Sequence, residues 1–167
     1  WRPALEDLAD FAVSRRMYLT GAMGRVSDER FTEPFALDNR ASIGEGCQSA
    51  ALVRLAQRFL LLEADARHAD VIERVLYNNL AANVSLDGRR FYYVNRLSAR
   101  PEDATGLPYR YPHTRTEKNL LPRFCLDRQP WFTVPCCPPN VAMALATLGE
   151  YIYAASTDAI AVNLFIG

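Results

Sequence analysis

The chain has 167 residues, half of them hydrophobic, and its 19 basic and 19 acidic side chains cancel to no net charge. That is enough apolar material for one core. There is no basic excess to meet a nucleic-acid backbone, no polybasic run to meet an anionic membrane, and no apolar stretch of membrane-spanning length. Four cysteines, Cys47, Cys125, Cys136 and Cys137, are too few for a disulfide scaffold in a chain this size. Compartment cannot be read from them and secretion stays open; the location is left unknown, with the cytoplasm favoured. The opening WRPALEDLADFAV carries neither methionine nor a signal-peptide pattern, as expected of a chain that begins inside a larger protein.

PALEDLADFAVSRR repeats Leu5, Leu8, Ala9 and Ala12 at three- and four-residue steps, with Pro3 suited to a first turn, and predicts a helix. LTGAMGRVSDERFTEPFALDNRA has glycines, a proline and scattered charges without a period, and reads as a long ordered loop. Two further helices, QSAALVRLAQRFLLLEAD and HADVIERVLYNNLAANV, are separated by a short turn around Arg67 and are expected to pack antiparallel. In SLDGRRFYYVN the period changes: Asp87-Gly88 signals a turn before an aromatic, strand-like run. Residues 96 to 134 read mainly as loop. NVAMALATLGEYIYAA predicts a last helix, and AIAVNLFIG an apolar strand with no partner in this chain.

The chemistry gathers at the cysteines. Glu45 stands two residues before Cys47, and Cys136 and Cys137 are adjacent, so the sequence offers one carboxylate and three thiols, a set that zinc accepts tetrahedrally. Residues two apart on a regular helix point to opposite sides, so Glu45 and Cys47 converge only on irregular backbone, which Gly44 and Gly46 permit. Pro138 is expected to push Cys137 out of the helical region, leaving the two thiols on a bent segment. Plainer readings stand beside these: Ser42 and Glu45 fit a capping box, and Cys47 and Cys125 fit small core positions. His68 reads as a surface residue in a polar helical run. His113 reads as a loop residue with Tyr109 and Tyr111 around it. Trp131 and Phe132 suit either stacking on a ligand ring or packing beside the cysteines, the latter being more economical.

The run from YLTGAMG through ERF, GEGC, LYNNLAANVSLDGRRFYYVN and WFTVPCCPPN to YIY and VNLFIG resembles glycoside hydrolase family 127, the β-L-arabinofuranosidase family, in order and approximate spacing. The resemblance implies a mainly α chain: the late part of an (α/α)6 barrel over residues 1–156, then the first strand of a β-sandwich domain over 157–167. It implies zinc held by Glu45, Cys47, Cys136 and Cys137, with Cys136 also the nucleophile and Glu29, in DERF, the general acid/base. Tyr93 matches a substrate-contacting stretch, where its phenol would bond a sugar hydroxyl or steady the nucleophile; filling one face of a strand with Phe91 is the competing reading. Among neighbouring Asp28 and Glu33, only the motif singles out Glu29, which otherwise reads as a solvated loop carboxylate.

The implied reaction is retaining glycoside hydrolysis with a thiolate in place of the usual carboxylate nucleophile. The implied partners are an arabinofuranoside-type carbohydrate and the rest of the same polypeptide, with a homodimer of the full-length protein compatible; neither nucleic acid nor membrane is implied. An (α/α)6 barrel needs twelve helices, and this chain supplies only about a third of one. The sugar-binding histidines expected from the earlier part of the barrel have no counterpart here. The segment alone is therefore expected to have little activity and to expose faces such as Leu52, Leu55, Phe59 and Leu62. A non-catalytic helical domain with structural zinc is the alternative, and a cysteine hydrolase with a histidine base is a remoter one.

Overall fold

The computed structural model describes residues 1–25, 30–98, 100, 127–132 and 134–166. Its elements in chain order are α1 (Arg2–Arg16), α2 (Gly46–Glu63), α3 (Ala66–Val75), α4 (Cys137–Ala146), α5 (Gly149–Ile152), β1 (Tyr153–Ala155) and β2 (Ile160–Val162). Helix α3 runs on into a π-helical turn at Leu76–Leu80 and a 3-10 turn at Ala81–Asn83.

Helix α1 starts with Pro3 in its first turn and ends on Arg15 and Arg16, whose charges suit a helix C-terminus. The expected stripe is only partly used. Ala12, Val13 and Met17 pack against the core, while Leu5 and Leu8 stay exposed. The described part of the following segment has the irregular path expected of it, and an isolated bridge joins Arg25 to Ser42.

Helix α2 buries Ala50, Val53, Ala56, Gln57 and Leu60, the three- and four-residue spacing of one face. It ends where Ala64 takes a left-handed conformation (φ 51°) and donates its N–H to the Leu60 carbonyl. Asp65 then caps α3, its side chain accepting from the Arg67 N–H at 2.9 Å. With two residues between them, α2 and α3 pack against each other as expected, through Ile72, Val75 and Leu76. The expectation of an exposed face holds for Leu55 and Leu62 but not for Leu52 and Phe59, which are buried. Phe59 is covered by His68: the rings stack at 5.3 Å, and His68 Nε2 lies 3.3 Å from Glu63 Oε2. His68 is thus half-buried in the helical hairpin rather than free on the surface.

The aromatic run forms no regular strand. Phe91 makes isolated antiparallel bridges to Val84 and Gln129, so one residue joins two distant segments. Arg128 adds a second tie, donating Nη2 to the Ala82 carbonyl at 2.7 Å and lying over the Tyr92 ring. The alternation still decides burial: Phe91 and Tyr93 point inward.

Helix α4 begins at Cys137, with Cys136 as its N-cap residue in helical conformation (φ −72°, ψ −30°). The expected bend before Pro138 is therefore absent; Cys137 is helical although it precedes proline. The last helix breaks earlier than expected. Thr147 Oγ1 donates to the Met143 carbonyl at 2.9 Å, Gly149 follows, and the second piece ends at Ile152. Tyr153–Ala155, expected to be helical, forms β1 and pairs antiparallel with β2, Tyr153 opposite Val162 and Ala155 opposite Ile160. The strand expected to lack a partner thus has one. The turn between them is closed by Ser156, whose N–H donates to the Ala159 carbonyl at 2.8 Å. Leu164 beyond the hairpin is buried and returns the chain to the main core.

Two apolar clusters result among the described residues. The larger joins α2, α3, α4, Tyr151 and Leu164. The smaller contains Ile43, Phe91, Tyr93, Val94, Phe132 and Cys137, with Cys47 and Cys136 at its edge.

Candidate metal centre and active site

The site lies where α2 and α4 start. Glu45 is the N-cap residue of α2 and Cys47 sits in its first turn; Cys136 and Cys137 hold the N-cap and first positions of α4. One donor atom from each of these four residues lies within 4.8 Å of the others. Cys136 Sγ is 3.1 Å from Glu45 Oε1 and 3.9 Å from Cys137 Sγ, which is 3.9 Å from Cys47 Sγ.

The backbone at Gly44 brings these groups together. Gly44 has φ +57°, and a side chain there would collide with the Asn95 carbonyl. Its unusual conformation lets Glu45 leave the loop in extended conformation (φ −64°, ψ 136°) just before the helix begins. At Gly46, a Cβ would lie 3.1 Å from Val141 Cγ2 and 3.3 Å from Cys137 Cβ, so the missing side chain lets α2 approach α4 beside Cys137. The alternative capping box does not form. Glu45 makes no side-chain cap and turns instead to Cys136.

Neither does Cys136 cap its helix. An N-cap side chain normally accepts from the N–H of the second or third helical residue. Those residues here are Pro138 and Pro139, which have no N–H. The Cys136 sulfur is left with its lone pairs uncommitted to the backbone.

Electrostatics distinguishes the three thiols. Hydrogen bonds from Cys137 and Cys47, with Tyr93 as a further donor, hold the Cys136 thiol well below the usual range, at about 2, against opposing burial. Its hydrogen bond to Cys136 pushes the Cys137 thiol up to about 12, and Cys47 is pushed up by hydrogen bonds to Cys136 and then Cys137. The N-terminal ends of two helices add positive potential for anionic donors. Even so, a thiolate 3.1 Å from a carboxylate is repulsive unless a proton or cation lies between them.

The donor set fits zinc. With Zn–S near 2.3 Å and Zn–O near 2.0 Å, a tetrahedral site has S···S edges of about 3.8 Å and S···O edges of about 3.5 Å. The observed 3.9, 3.9 and 3.1 Å need only small movements to meet them.

Tyr93 is buried, and its hydroxyl reaches Cys136 while its ring packs 6.0 Å from that of Phe132. Both readings of Tyr93 therefore have a basis, in core packing and in contact with the thiol. Phe132 is buried and meets Phe91 edge-on at 5.0 Å, the packing role expected of it; Trp131 is exposed instead. Glu29, Cys125 and His113 lie outside the described residues. Two residues at the site carried no expectation: Asn79 and Asn83, fully buried, both donate Nδ2 to the Gly44 carbonyl, at 3.2 and 3.1 Å. Their sequence signal is two amides four residues apart on the apolar face of a helix, where a polar side chain requires a partner.

Residues 2–150 match the family described as β-L-arabinofuranosidase, GH127 catalytic domain. The chain belongs to that family. It is 40% identical over 142 residues to the non-reducing end β-L-arabinofuranosidase of Bifidobacterium longum subsp. longum, covering 84% of this chain and 20% of that protein. Among solved structures, a GH127 β-L-arabinofuranosidase from Geobacillus stearothermophilus T6 superposes with TM-score 0.80 at 39% identity, over 95% of this chain and 23% of its own. A second GH127 β-arabinofuranosidase gives TM-score 0.79 at 34% identity, over 98% and 22%. The chain thus spans about a fifth of the length of these GH127 relatives. Among the described residues, no helix is long and apolar enough to cross a membrane.

Proposed function

We propose that this segment carries the catalytic centre of a retaining glycoside hydrolase acting on a β-L-arabinofuranoside. Cys136 is the nucleophile, Glu29 the general acid/base, and Glu45, Cys47, Cys136 and Cys137 the ligands of one zinc ion. The observation that carries this reading is the meeting of one carboxylate and three thiols within 4.8 Å at two helix starts, in a chain of the GH127 family. When bound there, zinc holds its thiol ligands as thiolates at neutral pH.

The protein's side chains then divide the work. Cys136 Sγ attacks the anomeric carbon, and a C–S bond forms as the glycosidic C–O bond breaks. Glu29 passes its proton to the departing oxygen. In the second half Glu29 takes a proton from water, the water oxygen bonds to the anomeric carbon, and the thiolate departs. Cys136 is partly exposed where Cys137 is fully buried, as a sulfur that meets a sugar must be; Cys47 shares that partial exposure, and the lowered Cys136 thiol is what separates the two. Tyr93 donates to Cys136 at rest and becomes free to meet a sugar hydroxyl when that sulfur is engaged.

Residues 1–156 are the late part of an (α/α)6 barrel and 157–167 open a β-sandwich domain. The exposed Leu5, Leu8, Leu61, Leu62, Ile160 and Phe165 support this reading, since such side chains need partners from the rest of the polypeptide. The test uses the full-length protein with a panel of nitrophenyl glycosides. A β-L-arabinofuranoside is expected to be preferred, and Glu29→Gln to slow both halves of the reaction by about 10²- to 10⁴-fold for substrates with poor leaving groups. Unchanged turnover of that variant removes Glu29 from the mechanism; a preference for another sugar class removes the substrate assignment.

A further inference from the structure

The turn that follows α3 is irregular, and its irregularity is spent on the metal centre's backbone. Helix α3 widens into the π-helical turn Leu76–Leu80 and then tightens into Ala81–Asn83. This places Asn79 and Asn83, 1% and 0% exposed, side by side beneath Gly44. The Gly44 carbonyl accepts from both amides, at 3.2 and 3.1 Å. Asn79 Nδ2 also hydrogen-bonds the buried Ser49 hydroxyl, which in turn donates to the Glu45 carbonyl at 3.1 Å. Asn83 Nδ2 closes back on the Asn79 carbonyl at 2.8 Å. From the other side, the Asn95 N–H donates to the Ile43 carbonyl at 2.7 Å, and its side-chain amide donates to Asn79 Oδ1 at 3.4 Å.

These bonds hold the peptide groups on either side of Glu45 and a side chain one turn into α2, but touch neither the Glu45 carboxylate nor the Cys47 sulfur. A buried carbonyl with two amide donors is held in one orientation, because losing either donor leaves polar groups unpaired. The Gly44 peptide is also where a left-handed backbone switches to the extended Glu45, so a small rotation there would swing the carboxylate away from Cys136. π-Helical turns are rare and frequently sit at functional sites.

We propose that Asn79 and Asn83, with Ser49 as their relay, are positioning residues that pre-set Glu45 and Cys47 for metal binding. The proposal rests on the ligand assignment made above. It distinguishes these asparagines from ordinary core polar residues: their loss alters the metal centre itself, beyond any loss of stability.

The test is made on the full-length protein. Zinc affinity is read by competition with a chromophoric chelator, and ligand geometry by the absorption spectrum of the cobalt(II)-substituted form. Asn79→Asp, which keeps the side chain's size but removes its donor, and Asn83→Ala are expected to lower zinc affinity about tenfold or more and to change the cobalt spectrum. Ser49→Ala is expected to lower the affinity by about a few-fold at almost constant volume. Leu60→Ala, near the far end of α2, is expected to lower the melting temperature and leave both metal readouts unchanged. Wild-type affinity and spectrum in folded Asn79→Asp and Asn83→Ala overturn the proposal. Should those two fail to fold, unchanged metal readouts in Ser49→Ala overturn it instead. A wild-type protein that takes up no zinc removes the ligand assignment and this inference together, a result distinct from zinc-binding wild type with indifferent variants.

Discussion

Helices α3 and α4 begin in opposite ways. At the start of α3, Asp65 does what an N-cap residue ordinarily does: its carboxylate accepts the Arg67 N–H and satisfies a donor the helix leaves open. At the start of α4, Cys136 occupies the same position and caps nothing, and the residues whose N–H groups it would accept are prolines. Glu45, at the start of α2, also makes no side-chain cap and faces Cys136 across the junction. The positive end of a helix is present in all three cases. Only where the backbone makes no claim on the N-cap side chain is that potential available for chemistry.

Removing the freed side chain tests the contrast most severely. With Cys136 as the proposed nucleophile, Cys136→Ala is expected to lower turnover of the full-length protein by about 10⁴-fold or more, the scale on which a lost nucleophile is felt. Retention of even a tenth of the activity would move the nucleophile elsewhere. Tyr93→Phe keeps the ring that packs on Phe132 and removes the hydroxyl that reaches Cys136. A hydrogen bond to an ionised group is worth about 1.5 to 3 kcal/mol, so kcat/KM is expected to fall by about ten- to a hundredfold with the melting temperature unchanged. Loss of melting temperature with intact kinetics would reduce Tyr93 to packing alone.

Pro138→Ala with Pro139→Ala returns two N–H groups to the first turn of α4. If they capture the Cys136 sulfur as a cap, kcat/KM drops by about a few-fold while helix content holds. Undiminished kcat/KM would show that the prolines do not protect the thiol. Asp65→Ala, at the ordinary helix start, is expected to have the smallest effect on function, with a lower melting temperature and unchanged turnover. The Asp65 carboxyl is held below the usual aspartate range, first by the hydrogen bond from the Arg67 backbone and then by the Arg67 side chain. Its stabilisation is therefore present above the ordinary aspartate pKa and lost as pH falls through the depressed folded value. The difference in melting temperature between wild type and Asp65→Ala should accordingly vanish in strong acid. A difference that persists there would assign the effect to something other than the charge.

The α2–α3 hairpin was legible because its apolar spacing is regular and its connection short. The four donors were legible as residue types, and the family resemblance grouped them, but spacing alone did not show that two helix starts would bring them together. Gly44 and Gly46 were visible as permissive positions; that one supplies a left-handed turn and the other a close helix approach depends on Asn95, Val141 and Cys137, all distant in sequence. Local preference also lost outright in places. Proline at 138 disfavours helix at Cys137, yet α4 starts there, and the Tyr153-Ala154-Ala155 run reads as helical but pairs with Ile160–Val162. At Phe91 the strand-like pattern produced burial without a strand, because its pairing is limited to single bridges with Val84 and Gln129. The amide brace at Asn79 and Asn83 left only the faint mark of two polar residues on an apolar face.

The proposed chemistry of this protein turns on Glu45, Cys47, Cys136 and Cys137 forming one zinc site. Zinc-edge X-ray absorption of the full-length protein, prepared without chelators, tests it most directly. About one zinc per chain is expected, with three sulfur neighbours near 2.3 Å and one oxygen near 2.0 Å. Absence of zinc, or a shell of nitrogen and oxygen alone, would contradict it.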